Sequence, residues 1–229
     1  MNIIVNGGSR GIGKEVVLFL SKDPGNHIIV TGRNENALKA LSESSPNIHA
    51  VKADLSLAEE LESTFPGKIM THFEKVDILI NMAGALVSGE FMKTGDKEAR
   101  LMMETNFFGP AAVIRILKPL MNDGSHIVNI SSMGGFQGSI KYNGLAYYSA
   151  SKAAIASLSE CLAVEFAASG VSVNCIALGA VQTEMLEEAF PGYKAPVQAG
   201  EIAPFIAYLA LNGHKFMNGK IIPVAVNNP

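Results

Sequence analysis

Tyr148-Ser149-Ala150-Ser151-Lys152 sets a phenol and an ammonium four residues apart. The stretch opens a segment of helical character, and residues four apart share one helical face. Both groups would then point into the same space. A free tyrosine has a pKa near 10 and is a poor base at neutral pH. Bringing it near 7 takes a shift of roughly 3 units, or about 4 kcal/mol. A lysine ammonium roughly 4 Å away supplies about that much at an effective dielectric constant near 20. The spacing suits a tyrosine acid/base catalyst. In isolation the same pair is ordinarily a packed ring beside a solvated charge, so its meaning rests on what other elements bring beside it.

Those elements alternate along the chain. Ile3-Ile4-Val5 precedes a helical-period segment from Lys14 to Leu20, His27-Ile28-Ile29-Val30 precedes Glu35 to Leu41, and Ile48-His49-Ala50-Val51 precedes Leu57 to Phe65. Ile78-Leu79-Ile80 leads into a long helical stretch from about Ala99 to Met121, followed by Ile127-Val128-Asn129-Ile130. The Tyr148 helix comes next and is expected to end at Gly170, a common residue just past a helix C-terminus. Val171 to Ile176 and a last strand near Ile221 to Val224 complete the pattern. Strands that are apolar throughout and separated by helices indicate a parallel sheet covered on both faces. The expected fold is α/β: a Rossmann-type doubly wound parallel sheet, one domain over 1–229, with a small substrate-covering segment at about 184–200. In such sheets ligands sit beyond the carboxyl ends of the strands.

The first strand runs directly into Asn6-Gly7-Gly8-Ser9-Arg10-Gly11-Ile12-Gly13. Glycines permit a tight turn and let the backbone approach a pyrophosphate, which then rests on the N-terminus of the following helix. With a strand before it and a helix after it, this run points to dinucleotide binding. The second strand ends at Thr31-Gly32-Arg33, with no acid before Glu35. A carboxylate near this point usually binds a ribose 2′-hydroxyl, whereas arginine accommodates a 2′-phosphate. Arg33 and Arg10 therefore favour NADP(H) over NAD(H). Asp54, after the third strand, suits either the adenine amino group or a helix cap.

Together these residues resemble the short-chain dehydrogenase/reductase family over essentially the full length. Gly7, Gly11 and Gly13 match the family's T-G-x-x-x-G-x-G run, with Asn6 in place of threonine, and Asp54-Leu55 is similar to its adenine-contacting pair. Asn81-Met82-Ala83-Gly84 is similar to the Asn-Asn-Ala-Gly motif, with Met82 replacing the second asparagine. Asn106 sits where the family has its active-site asparagine, Ser132 where it has its catalytic serine (Ser131 being the alternative), and Tyr148 with Lys152 matches Tyr-x-x-x-Lys. Gly179, Val181 and Thr183 lie in a segment similar to the one that contacts the nicotinamide carboxamide, with Leu178 where proline is usual. The resemblance implies hydride transfer between a nicotinamide and a carbonyl or secondary alcohol. Tyr148 would be the general acid or base, Lys152 would lower its pKa and hold the ribose hydroxyls, Ser132 would bind the substrate oxygen, and Asn106 would anchor a water leading to Lys152. It also implies a homodimer or homotetramer, for which Ala150, Ala153, Ala154 and Ser157 make one side of the Tyr148 helix small. The alternatives are a nucleotide-sensing regulator without chemistry, in which tyrosine or lysine is typically lost, and an enoyl reductase, in which the two are usually spaced further apart.

Composition narrows the partners. Hydrophobic residues make up 48% of the 229 and charged residues 17%, as in a well-covered globular core. A net charge of −3 gives no reason to expect nucleic acid. Cys161 and Cys175 lack paired spacing, so neither a disulfide nor a metal framework is expected. The apolar runs fall short of the roughly 20 residues a membrane span needs. A cytoplasmic protein acting on a small carbonyl or alcohol, without membrane or nucleic acid partners, is the expectation.

Overall fold

The strands are β1 (Asn2–Asn6), β2 (His27–Gly32), β3 (Ile48–Lys52), β4 (Ile78–Asn81), β5 (His126–Ser132), β6 (Ser172–Leu178), β7 (Val181–Gln182), β8 (Val197–Gln198) and β9 (Ile221–Val224). The computed structural model describes residues 1–226, so 227–229 of the expected domain lie outside the described residues. Seven of these strands form one parallel sheet in the order β3-β2-β1-β4-β5-β6-β9, and β7 pairs with β8 beside it.

Alternation along each strand divides the apolar residues between two cores. Ile3, Val5, Ile28, Val30, Ile78, Ile80 and Ile176 pack beneath α1 (Gly11–Leu20), α2 (Glu35–Ser44) and α8 (Ala199–Asn212). Ile4, Ile29, Leu79, Ile127 and Val173 pack beneath α3 (Ala58–Met70), α5 (Gly109–Leu117) and α6 (Ala146–Glu165). Helices on both faces of a parallel sheet make the fold doubly wound, in a single domain, as the sequence pattern implies.

Two departures from the sequence reading matter for the site. The single helix expected from Ala99 to Met121 is α4 (Asp96–Met103), a π turn over Glu104–Phe108, and α5. A Cβ on Gly109 would collide with the Leu55 carbonyl and side chain, so α5 starts pressed against the loop after β3. π turns are rare and frequent at functional sites. The second departure is α8, 14 residues that the strand-by-strand pattern passes over because Gly200 and Pro204 interrupt its first turns. A capping box between Gln198 and Glu201 starts it, and Ala203, Ile206, Ala207 and Ala210 bury its inner face. Between β7 and β8 lies α7 (Glu184–Ala189), which Thr183 caps by accepting from the Leu186 N–H at 3.2 Å.

Candidate active site

A cleft of about 590 Å³ opens beyond the carboxyl ends of the strands. At one end is the loop between β1 and α1. Gly7 has φ +78, and its missing Cβ leaves room for Ala83 of the loop after β4. Gly13 packs against the Gly7 carbonyl so tightly that any side chain would clash. The loop is thus folded back on itself, and α1 begins at Gly11 with no side-chain cap. Its first N–H groups border the cleft together with Ser9, Arg10, Gly11 and Ile12, an arrangement that suits an anion.

Arg33 is exposed on the cleft wall, and among the described residues no carboxylate pairs with it. Glu35, the nearest acid after β2, is drawn away to Lys52 at 2.9 Å. Arg10 pairs instead with Glu188 of α7 at 3.0 Å. Asp54 does not cap α3, whose N-cap is Leu57 without a side-chain bond; one of its oxygens accepts from the Ser56 N–H and hydroxyl at 3.0 and 2.7 Å, and the residue lines the cleft with Leu55.

The other end of the cleft holds Ser131, Ser132, Tyr148 and Lys152. Ser131 and Ser132 end β5 with different partners. Ser131 is buried and donates to the Lys152 carbonyl at 2.6 Å. Ser132 accepts from the Gly134 N–H at 3.1 Å and lines the cleft together with the Tyr148 phenol. The two hydroxyls thus differ in what holds them, Ser131 Oγ being spent on the α6 backbone, although both residues line the cleft. Burial raises the Tyr148 pKa above its ordinary value, and the Ser132 side chain offsets only part of that rise. Lys152 is buried, and its ammonium donates to the Ile130 carbonyl at 2.9 Å. Burial lowers its pKa to about 8, against a smaller upward pull from Cys175. Burial sets the direction of the phenol's shift, and the Lys152 ammonium donates to a backbone oxygen.

Asn106 sits on the π turn, buried, with every polar atom of its side chain engaged. Its oxygen accepts from Ala85 N–H at 2.7 Å, and its amide donates to the Ala85 carbonyl and to Ser151 Oγ, both at 2.9 Å. It ties the loop after β4 to α6 at Ser151, the residue before Lys152. A Cβ on Gly84 would lie 3.5 Å from both Asn106 Oδ1 and Lys152 Nζ, so that glycine keeps open the space between them. Asn81 and Asn106 stand behind the cleft wall; Ala83, Gly84, Gly179, Val181 and Thr183 line it. Gly179 also donates to the Val224 carbonyl at 2.8 Å, and the Thr183 hydroxyl is spent on capping α7.

A family model for short chain dehydrogenase matches residues 1–194. The chain belongs to the short-chain dehydrogenase/reductase family. It is an oxidoreductase of that family, which binds nicotinamide cofactors and acts on small molecules. It is 31% identical over 237 residues to the 3-oxoacyl-acyl-carrier-protein reductase FabG of Escherichia coli, covering 96% of this chain and 94% of that one. A short-chain dehydrogenase/reductase of Serratia marcescens superposes with a TM-score of 0.85 at 27% identity, covering 97% and 95% of the two chains. A blue fluorescent protein from a metagenomic library, in complex with NADPH, gives 0.85 at 25% identity over 98% and 96%.

The departures from the family pattern have local explanations. Asn6 donates to Asn81 Oδ1 at 2.7 Å and accepts from the Thr31 hydroxyl at 2.9 Å, so it is a strand-to-strand bridge where threonine is usual. Met82 packs partly buried against the β1 core, and Leu178 is buried at the end of β6. Several contributors escape sequence reasoning. Gly135 lies so close to the Lys152 backbone that a Cβ there would sit 2.5 Å from it, which seats the loop after β5 on α6. Tyr142, Leu145 and Tyr193 line the cleft with Met185, Leu186 and Phe190. Tyr147 stacks on Phe91, ring centroids 5.3 Å apart. Only contact across loops places these residues, and no spacing in the sequence announces it.

Proposed function

We propose that this protein is an NADP(H)-dependent reductase of an apolar carbonyl compound, working through Ser132, Tyr148, Lys152 and Asn106. The observation that carries the reading is the convergence of the Ser132 hydroxyl and the Tyr148 phenol on one cleft, beside a buried Lys152. The Gly134 N–H occupies one side of Ser132 Oγ, leaving its proton free for an oxygen in the cleft. A substrate carbonyl there would take one hydrogen bond from Ser132 and one from Tyr148.

The nicotinamide cofactor, when bound, supplies the hydride. Tyr148, kept protonated by its raised pKa, gives its proton to the oxygen as negative charge develops, and Ser132 stabilises that charge. In alcohol oxidation the same groups run in reverse, with Tyr148 as the base. Lys152, with a pKa of about 8, carries positive charge at neutral pH and would hold the cofactor's ribose hydroxyls. Asn106 fixes the loop that borders Lys152 and serves as a positioning residue.

Glycines whose side-chain positions are already filled by Ala83 and by the Gly7 carbonyl fit a dinucleotide's close approach. Gly7, Ser9, Gly11, Ile12 and Gly13 would hold the pyrophosphate, Asp54 and Leu55 the adenine, and Asn81, Ala83, Gly84, Gly179, Val181 and Thr183 the remainder. Preference for the 2′-phosphate rests on Arg33, which among the described residues has no carboxylate partner, on Arg10, and on the NADPH carried by the metagenomic relative. The substrate half is walled by Met185, Leu186 and Phe190, which favours an apolar acyl chain or ring, in keeping with a relative named for 3-oxoacyl substrates. Exposed Ala150, Ala153 and Ser157 on α6 support a homodimer or homotetramer, and free thiols at Cys161 and Cys175 fit the cytoplasm.

The test is Tyr148→Phe assayed for NADPH consumption across ketones, aldehydes and acyl-thioesters. Turnover is expected to fall by roughly 10²- to 10⁴-fold, with NADPH binding unchanged. Near wild-type turnover would refute the assignment. In parallel, Arg33→Ala is expected to weaken NADPH binding and leave NADH alone.

A further inference from the structure

The short helix α7 presents two carboxylates, Glu184 and Glu188, one turn apart and both facing the loop between β1 and α1. Glu188 Oε1 pairs with Arg10 Nη1 at 3.0 Å. The Glu184 carboxylate lies beside Gly11, 3.6 Å from where a Cβ on that residue would stand. Gly11 is the first residue of α1, whose N-terminus carries no side-chain cap and no acid in its first turn. Each carboxylate is therefore set against a feature that suits an anion: a guanidinium in one case, a helix N-terminus in the other. The rest of α7 is anchored away from the loop. Glu187 accepts from the Gly192 N–H at 3.0 Å and Thr183 caps the helix start. The acids thus approach the cradle from a fixed side.

We infer that Glu184 and Glu188 are determinants of cofactor affinity and choice, because they compete with the cofactor's phosphates for the α1 N-terminus and for Arg10. The inference rests on the reading that Arg10 and Arg33 receive a 2′-phosphate. The two acids act on different parts of the ligand. Glu184 opposes the pyrophosphate, which NADPH and NADH share. Glu188 opposes the 2′-phosphate, which only NADPH carries, by occupying Arg10. The arrangement ties the covering segment to the cofactor: displacing α7's acids from the cradle and seating the phosphates are one exchange.

Glu188 and Arg10 are both solvent-exposed, so each contribution is modest. Equilibrium titrations of NADPH and NADH against the full chain and the Glu184→Gln, Glu188→Gln, Arg10→Ala and Arg33→Ala variants test it. Glu188→Gln is expected to tighten NADPH by about three- to fivefold and change NADH by less than about twofold. Glu184→Gln should tighten both by a similar factor. In an Arg10→Ala background the Glu188→Gln gain should vanish, and in roughly 0.5 M salt both gains should shrink. If Glu188→Gln leaves NADPH unchanged or weaker while Arg33→Ala still costs NADPH selectivity, the competition is overturned and the NADP(H) reading stands. If neither arginine variant alters the NADPH-to-NADH ratio, the NADP(H) reading falls, and the competition at Arg10 falls with it.

Discussion

Two chains of buried polar side chains hold the sheet together, one under the cleft and one at the opposite edge, and they are built from different chemistry. Under the cleft, the Thr31 hydroxyl donates to Asn6, Asn6 to Asn81, Asn81 to Asn129 and Asn129 to Ser159, at 2.7 to 2.9 Å. The row follows the strand register, since Asn6 faces Thr31 and Asn81 faces both Asn6 and Asn129. At the amino ends of β5 and β6, His126 Nδ1 donates to the Ala210 carbonyl at 2.9 Å, and its Nε2 accepts from Asn174 at 3.0 Å. Ala210 lies in the last turn of α8, so the imidazole satisfies one of the carbonyls a helix end leaves open.

The first chain contains only amides and hydroxyls and keeps the same charge at every working pH. The second contains an imidazole that must stay neutral to make both of its bonds. Burial, helped by the neighbouring His214, lowers the His126 pKa to about 4 against a smaller opposing contribution from its bond to Ala210. Amides therefore floor the cleft, next to a lysine whose own pKa lies near 8, and the acid-sensitive group sits at the far edge.

Breaking the row under the cleft is expected to give the largest effect. Asn129→Ala strips Asn81 of its acceptor and Ser159 of its donor, both buried, and leaves a small void. Unsatisfied buried groups cost about 1–3 kcal/mol each, so a loss of about 3–5 kcal/mol is expected in chemical denaturation. The loss should be the same at pH 5 and pH 8. A loss that varies with pH would show that the row is coupled to a titrating group.

The opposite edge predicts the converse. The folded-state pKa of His126 is depressed, so the unfolded chain binds more protons between about 4 and the ordinary histidine value. Its contribution is fully present above pH 6.5 and is lost as pH falls from there through about 4. The difference of about 2.5 units corresponds to about 3 kcal/mol. Denaturation midpoints at pH 7, 5.5 and 4 should fall accordingly, and His126→Gln should flatten that slope whatever it does to the midpoint at pH 7. An unchanged slope in the variant would assign the acid sensitivity elsewhere.

This contrast also marks what the sequence made legible. The glycine loop, Arg33, Ser132, Tyr148 and Lys152 are readable because backbone turns and helical spacing fix them locally, and the apolar strands give the parallel sheet directly. Asn129 and Asn174 read only as polar interruptions within apolar runs, since their partners come from neighbouring strands and helices. The π turn under Asn106 is hidden for the same reason: the collision that stops a side chain at Gly109 comes from Leu55, distant in sequence. The partner of the Lys152 ammonium is hidden too, because spacing fixes which face Lys152 occupies and says nothing of the Ile130 carbonyl that accepts from it.

The smallest effect separates residue identity from the row itself. Asn6 stands where relatives usually have threonine, and it is fully buried between Thr31 and Asn81. Asn6→Thr keeps a hydroxyl that can accept from Thr31, and β-branching suits a strand. What it loses is reach toward Asn81 Oδ1, an acceptor that would then lack this donor while its own amide still meets Asn129. One neutral hydrogen bond is worth about 1 kcal/mol net, and that is the expected loss. Catalytic turnover should be unchanged, because Asn6 touches the cleft only through the sheet. If the variant instead loses as much as Asn129→Ala, the row behaves as one cooperative unit in which any break frees all of it. If it loses nothing, the amide at position 6 is interchangeable with the family's hydroxyl, and the continuity of the row begins at Asn81.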